Sequence, residues 1–332
     1  DGIVGQTNLH ASIRNNATYG PLLDDALLAL PAVSLVINNS GELPFSETES
    51  SVELIDPQGG EAGFTIPGGV IRSGTSSLSF AKGSMSVRFR GEYGATKLEY
   101  PVYARHPHDA LGAVTTFQEL RLRSGSHDTH SWLGTSENPP VPYGNPPVTR
   151  SGDAQFVRNI WQEDVHLMMG QPGMHGRMVQ LFVNGNYYGI YHLLEHPDDD
   201  YMGTYFPGTS EDYHYTGGGT TGSVHDTGSW STVWARIKAS LINYTQARRW
   251  IDMTNLADYM VLSFYAGNDW DWTALHNWGA AGHRLPDQGG WKFFPQDVDI
   301  SLQDVNADCT DQTVPDGIFN ALLATLNPGD EV

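Results

Sequence analysis

Met178-Val-Gln-Leu-Phe-Val-Asn-Gly-Asn-Tyr-Tyr-Gly-Ile-Tyr-His-Leu-Leu-Glu195 is the stretch in which local structure is most legible. Two runs rich in β-branched and aromatic residues, Met178 to Val183 and Tyr187 to Glu195, flank Asn184-Gly185. That dipeptide tolerates the positive φ a two-residue turn demands, so the segment reads as a tight antiparallel hairpin. Just upstream, Phe156, Ile160, Trp161, Val165 and Met168 recur at helical spacing after Asp153, a candidate N-cap. Residues 133–151, crowded with Pro, Gly, Ser and Asn, read as a long surface loop.

Short alternating stretches fill the region from Ser51 to Leu122. Ser51-Val-Glu-Leu-Ile, Gly69-Val-Ile-Arg, Ser84-Met-Ser-Val-Arg-Phe-Arg and Glu119-Leu-Arg-Leu-Arg predict a mostly antiparallel sheet. Before them, Ala26-Leu-Leu-Ala-Leu is a short helix stopped by Pro31, and Ser34-Leu-Val-Ile-Asn is a strand. After the hairpin and a Gly-rich loop over Gly217 to Gly228, the pattern turns helical at Trp230 to Ile242 and Leu256 to Ala266. A strand at Trp291-Lys-Phe-Phe-Pro and a terminal helix near Ile318 to Leu326 complete the chain. Strands first and helices later, without regular alternation, predict an α+β protein in two lobes. The expected divisions are an extended lead-in over 1–50, a β-rich lobe over 51–216 with one helix near 154–169, and a helical lobe over 217–332.

Composition removes several function classes. Lys and Arg number 18 against 38 Asp and Glu, a net charge of −20, so the surface repels phosphate backbones and general nucleic-acid binding is close to excluded. Nine Trp, fifteen Tyr and twelve Phe can fill a sizeable core, which argues against intrinsic disorder. The single cysteine, Cys309, permits neither an internal disulfide nor a Cys-rich zinc site. The most apolar run, Ala26 to Ile37, is broken by Pro31 and Ser34 and falls short of the ~18 residues a membrane helix needs. Only four residues are Lys, and Asp, Gly, Ser and Thr abound, which fits an extracytoplasmic, secreted or cell-surface setting.

The chemistry concentrates in Gly267-Asn-Asp-Trp-Asp-Trp-Thr-Ala-Leu-His-Asn-Trp278 and in Pro295-Gln-Asp-Val-Asp299. Asp269, Asp271, Asn277, Asp297 and Asp299 thus fall at the end of a helix and the end of a strand, and a β-hairpin between them can bring the two ends together. Phosphoryl transfer needs such a set: a carboxylate to accept the incoming hydroxyl's proton, and an Asn with a later Asp to hold Mg²⁺ against nucleotide phosphates. The orthodox kinase loop separates its Asp and Asn by about five residues, whereas Asp271 and Asp269 precede Asn277 by six and eight. Asp/Asn-rich turns also cap helices and hairpins, and that reading stands beside the catalytic one. His106, His108, His127 and His130 offer a loose zinc-like set, and Asp198-Asp-Asp200 reads as a helix cap or solvated acids. Neither a GxxxxGK[ST] loop nor a Gly-x-Ser-x-Gly elbow occurs.

Taken together, the Asn-Gly-x-Tyr-x-Gly-x-Tyr hairpin ending in Glu195, Lys82 to Arg90 followed by Gly91-Glu-Tyr-Gly, Tyr265-Ala-Gly-Asn-Asp-Trp-Asp-Trp to Asn277-Trp, and Trp291-Lys-Phe-Phe-Pro-Gln-Asp resemble the CotH kinase-like family, atypical protein-kinase-fold enzymes related to a spore-coat kinase. The resemblance implies a two-lobed kinase-like fold, with a β-rich N-terminal and a mostly helical C-terminal lobe, running on past Val332. It implies an ATP- and Mg²⁺-dependent phosphotransferase acting on a hydroxyl of a secreted or surface protein, or else a pseudokinase module serving adhesion, filament or matrix assembly. In that frame Asp271 is the catalytic base or a metal neighbour, with Asp269 a further catalytic acid, and Asn277 and Asp297 are the Mg²⁺ ligands. Glu195 orients a lysine or the metal, and Lys82 contacts phosphate, with Arg88 or Arg150 as substitutes. Gln296 stands before Asp297 where the family commonly has Trp.

Overall fold

The computed structural model describes residues 11–38, 43–74, 78, 82–104, 112–125, 128, 155–217, 229–239, 241–268, 277–302 and 306. The chain divides into two units, each discontinuous in sequence. The first comprises Asp1–Tyr143, Thr149–Phe156 and His175–His196, and the second comprises Gly144–Val148, Val157–Met174 and Pro197–Val332.

Among the described residues of the first unit, two short helices, α1 (Ala11–Arg14) and α2 (Leu23–Leu28), precede nine strands. These are β1 (Ala32–Ile37), β2 (Thr48–Ile55), β3 (Phe64–Ser73), β4 (Ser84–Arg88), β5 (Leu98–Glu99), β6 (Thr116–Phe117), β7 (Glu119–Arg123), β8 (Gly176–Val183) and β9 (Asn186–Leu194). β5 and β6 pair with each other; the other seven close into a barrel in the order β1-β2-β3-β4-β7-β9-β8. Every neighbouring pair is antiparallel except β1 with β8, which run parallel from Ala32 opposite Gln180 to Leu35 opposite Val183. Alternate residues point inward, as strand geometry requires, so Val33, Leu35, Val52, Leu54, Met85, Val87, Leu120, Leu122, Val179 and Leu181 fill the interior. Closure leaves no free ladder edge between these strands.

The hairpin forms where its turn dipeptide dictates. Asn184 and Gly185 take φ of 49° and 76°, the left-handed pair of a tight turn. Asn184 also ties the turn to β1: its side-chain oxygen accepts the Ile37 N–H at 2.7 Å and its amide nitrogen donates to the Ile37 carbonyl at 2.9 Å.

The second unit contains α3 (Arg158–Met168), α4 (Asp199–Tyr205), α5 (Trp230–Lys238), α6 (Tyr244–Ala247) and α7 (Met253–Tyr265). It also holds a three-stranded antiparallel sheet, β10 (Tyr213–Gly217), β11 (Trp278–His283) and β12 (Lys292–Pro295), with β11 central. Trp230, Trp278, Trp291 and Phe293 form its aromatic core, with ring centroids of Trp230 and Trp291 5.4 Å apart.

This architecture corrects the expected two-lobed kinase-like fold with a helical C-terminal lobe. The first unit is a closed seven-stranded barrel, and the second is a mixed unit whose centre is a sheet. Local alternation cannot distinguish an open sheet from a closed one, because the closing contact joins β1 to a strand far along the chain. The hairpin expected between Asn277 and Asp297 forms from β11 and β12, although the composition of β11 signals a strand only weakly. Its Gly279-Ala-Ala-Gly282 lacks β-branched residues, yet small residues are required there, since a Cβ on Gly282 would lie 2.6 Å from Trp291 Cγ.

Helix α3 exists as its spacing predicts, but it turns the other way. Arg158, Asn159, Gln162, Glu163, His166 and Leu167 are buried, while Met168 of the apolar stripe is exposed and Ile160, Trp161 and Val165 are only half-buried. The outward Trp161 stacks on Tyr265 of α7 at 6.0 Å. A helix that buries its polar face has given up hydrophobic burial, and that exchange marks a surface chosen for something besides packing. Met168→Gln is therefore expected to change stability by less than about 0.5 kcal/mol. Leu167→Ala, one residue earlier, should cost about 2–3 kcal/mol. Urea midpoints of the two variants check the pair.

Candidate functional site

The expected site residues fall in both units. Arg150, Asp269 and Asp271 lie outside the described residues, as do His106, His108, His127 and His130.

In the barrel unit, Lys82 precedes β4 and is only 6% exposed. Its Nζ donates to the Ile190 carbonyl at 2.7 Å and sits 4.7 Å from the Phe156 ring centroid and 4.9 Å from that of Tyr191. Gly189, at φ 102°, passes beside the side chain: a Cβ there would lie 3.5 Å from Lys82 Cε. Burial pulls the Lys82 amine down from 10.5 to about 7, while the two ring faces favour the charged form.

Arg88 is committed elsewhere. Its Nε donates to Glu119 at 2.8 Å and its Nη1 to Glu47 at 2.9 Å, while Arg90 approaches the same Glu47 at 3.4 Å. Glu195, just past β9, is 3% exposed. One carboxylate oxygen accepts the His175 backbone N–H at 2.9 Å and lies 2.7 Å from His175 Nδ1. The Glu195 N–H returns a bond to the His175 carbonyl at 3.0 Å. The carboxylate thus clasps the strand opposite.

In the second unit, antiparallel pairing sets Trp278 opposite Pro295. Asn277 enters β11 at the end of the ladder from which Gln296 and Asp297 leave β12. Register therefore brings Asn277 and Asp297 to one end of the hairpin across the twenty residues that separate them in sequence. Both adopt left-handed backbone, with φ of 58° and 61°, and both are half-buried. Gln296 is drawn into the sheet, where its side-chain oxygen accepts from the Tyr215 hydroxyl at 2.9 Å.

Near this hairpin end lie further buried polar residues. Asp299 is 1% exposed and Asn268 1% exposed. Asn159 and Glu163, on the inward face of α3, join each other at 2.7 Å. His166 on the same face is fully buried, and desolvation takes its imidazole down to about 4, so it is neutral at physiological pH. The available signal was the polar run Arg158-Asn159…Gln162-Glu163…His166 at helical spacing, the complement of the apolar stripe. Asp198 proves to be a cap: its carboxylate accepts the Tyr201 N–H at 2.8 Å at the start of α4.

Among the described residues, no three His, Cys, Asp or Glu side chains approach closely enough to hold a metal by themselves. Asn277 and Asp297 instead offer one amide oxygen and one carboxylate. That is a hard-oxygen pair suited to Mg²⁺, which is commonly held by one or two carboxylates together with waters and substrate phosphates. The donors fit that ion.

Fold and site define an α+β protein with a closed barrel and an Asn/Asp-bearing hairpin end. Residues 151–237, which run from before α3 through the β8–β9 hairpin into α5, match the family model described as CotH kinase protein. Glu195 lies within the matched stretch, and Lys82, Asn277 and Asp297 lie outside it. No curated protein matched the chain. Among the described residues, no helix is long and apolar enough to cross a membrane.

Proposed function

We propose that the chain is a CotH-type phosphotransferase that transfers the γ-phosphoryl group of ATP, with Mg²⁺, to a hydroxyl of a secreted or surface protein. The observation that carries this reading is the register of β11 and β12, with Asn277 and Asp297 at one hairpin end, alongside the family match over 151–237. In this reading Asn277 and Asp297 hold Mg²⁺, which supplies charge neutralisation at the phosphates. Asp271, assisted by Asp269, accepts the acceptor hydroxyl's proton, and the acidic surface suits an extracytoplasmic setting.

A second reading, a catalytically silent module for surface or matrix assembly, is favoured by the barrel unit. Lys82 is taken up by a backbone carbonyl between two rings, Arg88 by Glu47 and Glu119, and Glu195 by His175. Each therefore has a structural task already.

Calorimetric titration of ATP with Mg²⁺ into the wild type and Asp297→Asn separates the two. The phosphotransferase reading expects metal-dependent binding that weakens about 10–100-fold or more in the variant, the range seen when metal-site groups are altered. Absence of binding heat with the wild type sinks it. Binding without transfer to any hydroxyl acceptor favours the assembly module.

A further inference from the structure

The inward polar face of α3 ends on the segment that carries Asp297. Asn159 is 5% exposed; its side-chain oxygen accepts the Val298 N–H at 3.1 Å, and its amide nitrogen donates to Glu163 Oε1 at 2.7 Å. Val298 is fully buried between Asp297 and Asp299. A few residues on, the Val298 carbonyl accepts from Ser301 Oγ at 2.8 Å, and the Leu302 N–H donates to the Ala266 carbonyl at the end of α7 at 2.7 Å. The segment 297–302 is thus fastened at one end to α3 and at the other to α7.

The α3 fastening sits where the backbone most needs one. Asp297 has φ 61°, a conformation that costs a residue with a Cβ about 1–2 kcal/mol and persists only when its surroundings hold it. The bond next along the chain is the one from Val298 to Asn159. An amide suits this task because it accepts and donates at once. Its donor side is fixed by Glu163, one turn further along the same helix, so its oxygen faces the Val298 N–H. A leucine or valine at position 159 would pack the helix equally well and leave that buried N–H unpaired.

We infer that Asn159, held in orientation by Glu163, is a positioning residue that fixes the backbone of Asp297 and thereby the placement of its carboxylate. Its consequence for Mg²⁺ rests on the phosphotransferase reading above; its consequence for the backbone does not. Glu163 accepts from Asn159 through Oε1, and glutamine at 163 keeps that accepting oxygen.

Two measurements on the intact chain decide the matter. Hydrogen exchange without ligand should be at least about tenfold faster over 297–301 in Asn159→Ala, with the barrel strands unchanged. Glu163→Gln, which keeps the accepting oxygen, should exchange like the wild type, and Glu163→Ala should fall between. Exchange over 297–301 that matches the wild type in Asn159→Ala overturns the inference; if that variant does not fold, the same result in Glu163→Ala overturns it. The second measurement is the affinity for ATP with Mg²⁺. Asn159→Ala should weaken it about 10–100-fold and Glu163→Gln should leave it at the wild-type value, a pattern that loss of helix packing alone would not give. Unaltered affinity in Asn159→Ala, where the wild type binds, removes the role in metal placement and leaves the phosphotransferase reading standing. No binding by the wild type removes that reading, and the exchange result still decides whether Asn159 positions the segment.

Discussion

Lys82→Met will yield a protein more stable than the wild type below pH 7 and slightly less stable above about pH 10.5. Burial lowers the Lys82 amine from 10.5 to about 7. Below pH 7 the folded and unfolded chains both carry the proton, so the folded state bears the whole cost of a buried ammonium, on the order of 5 kcal/mol from that difference. Between pH 7 and 10.5 the unfolded chain binds more protons than the folded one, so the wild type gains stability as pH rises. Above 10.5 both states are neutral and no charge penalty remains. Methionine removes the ammonium and keeps an unbranched chain, but it deprives the Ile190 carbonyl of its donor, which costs about 1 kcal/mol. The expected net is a gain of about 4 kcal/mol at pH 6 that turns into a loss of about 1 kcal/mol at high pH. Urea midpoints of both proteins across this range test it, and parallel curves with no convergence would show that Lys82 keeps its ordinary pKa.

Glu195→Ala should cost about 3–5 kcal/mol, the loss expected when one member of a buried, hydrogen-bonded pair is removed and the other is left behind. The carboxylate is 3% exposed, and its removal strands both the His175 backbone N–H and the His175 ring. Glu195→Gln keeps an oxygen for one of those partners and should cost only about 1–2 kcal/mol. Denaturant unfolding of the two variants gives the values. The pair also separates structure from chemistry. A Glu195→Gln protein that is well folded and silent in phosphoryl transfer assigns Glu195 to the reaction. Activity that falls only in step with stability assigns it to the clasp with His175.

Local pattern made the secondary elements readable and left their assembly hidden. Asn184-Gly185 announced the hairpin because the turn chemistry is confined to two residues. The spacing of Phe156, Ile160, Trp161, Val165 and Met168 announced α3 because periodicity reports a helix whichever face is buried. It could not report the face itself, since Asn159, Gln162 and Glu163 are inward through tertiary contacts such as that of Asn159 with Val298. Barrel closure was equally out of reach: Ile37 and Asn184, which bond to each other, stand 147 positions apart. Asn277 and Asp297, proposed above as the metal pair, could be named from their residue types and flanking strands, whereas Asn159 became visible only once Val298 was seen against it. Asp299, two residues from Asp297 in the sequence, carried no sign that it would be the more deeply buried of the two.

The parallel seam between β1 and β8 also sets an order of events during synthesis. The first stave leaves the ribosome with its hydrogen-bonding edge open, and its partner follows nearly 150 residues later. At ordinary elongation rates that interval is on the order of ten seconds or more. Meanwhile α3, which belongs to the other unit, has already been made. The barrel therefore closes late, through a contact of long sequence separation that slows folding, and until then the edge of β1 is open to pairing with any passing strand. Deleting residues up to Ile37 would make that exposure permanent at β2 and β8, with aggregation rather than a smaller stable barrel as the result.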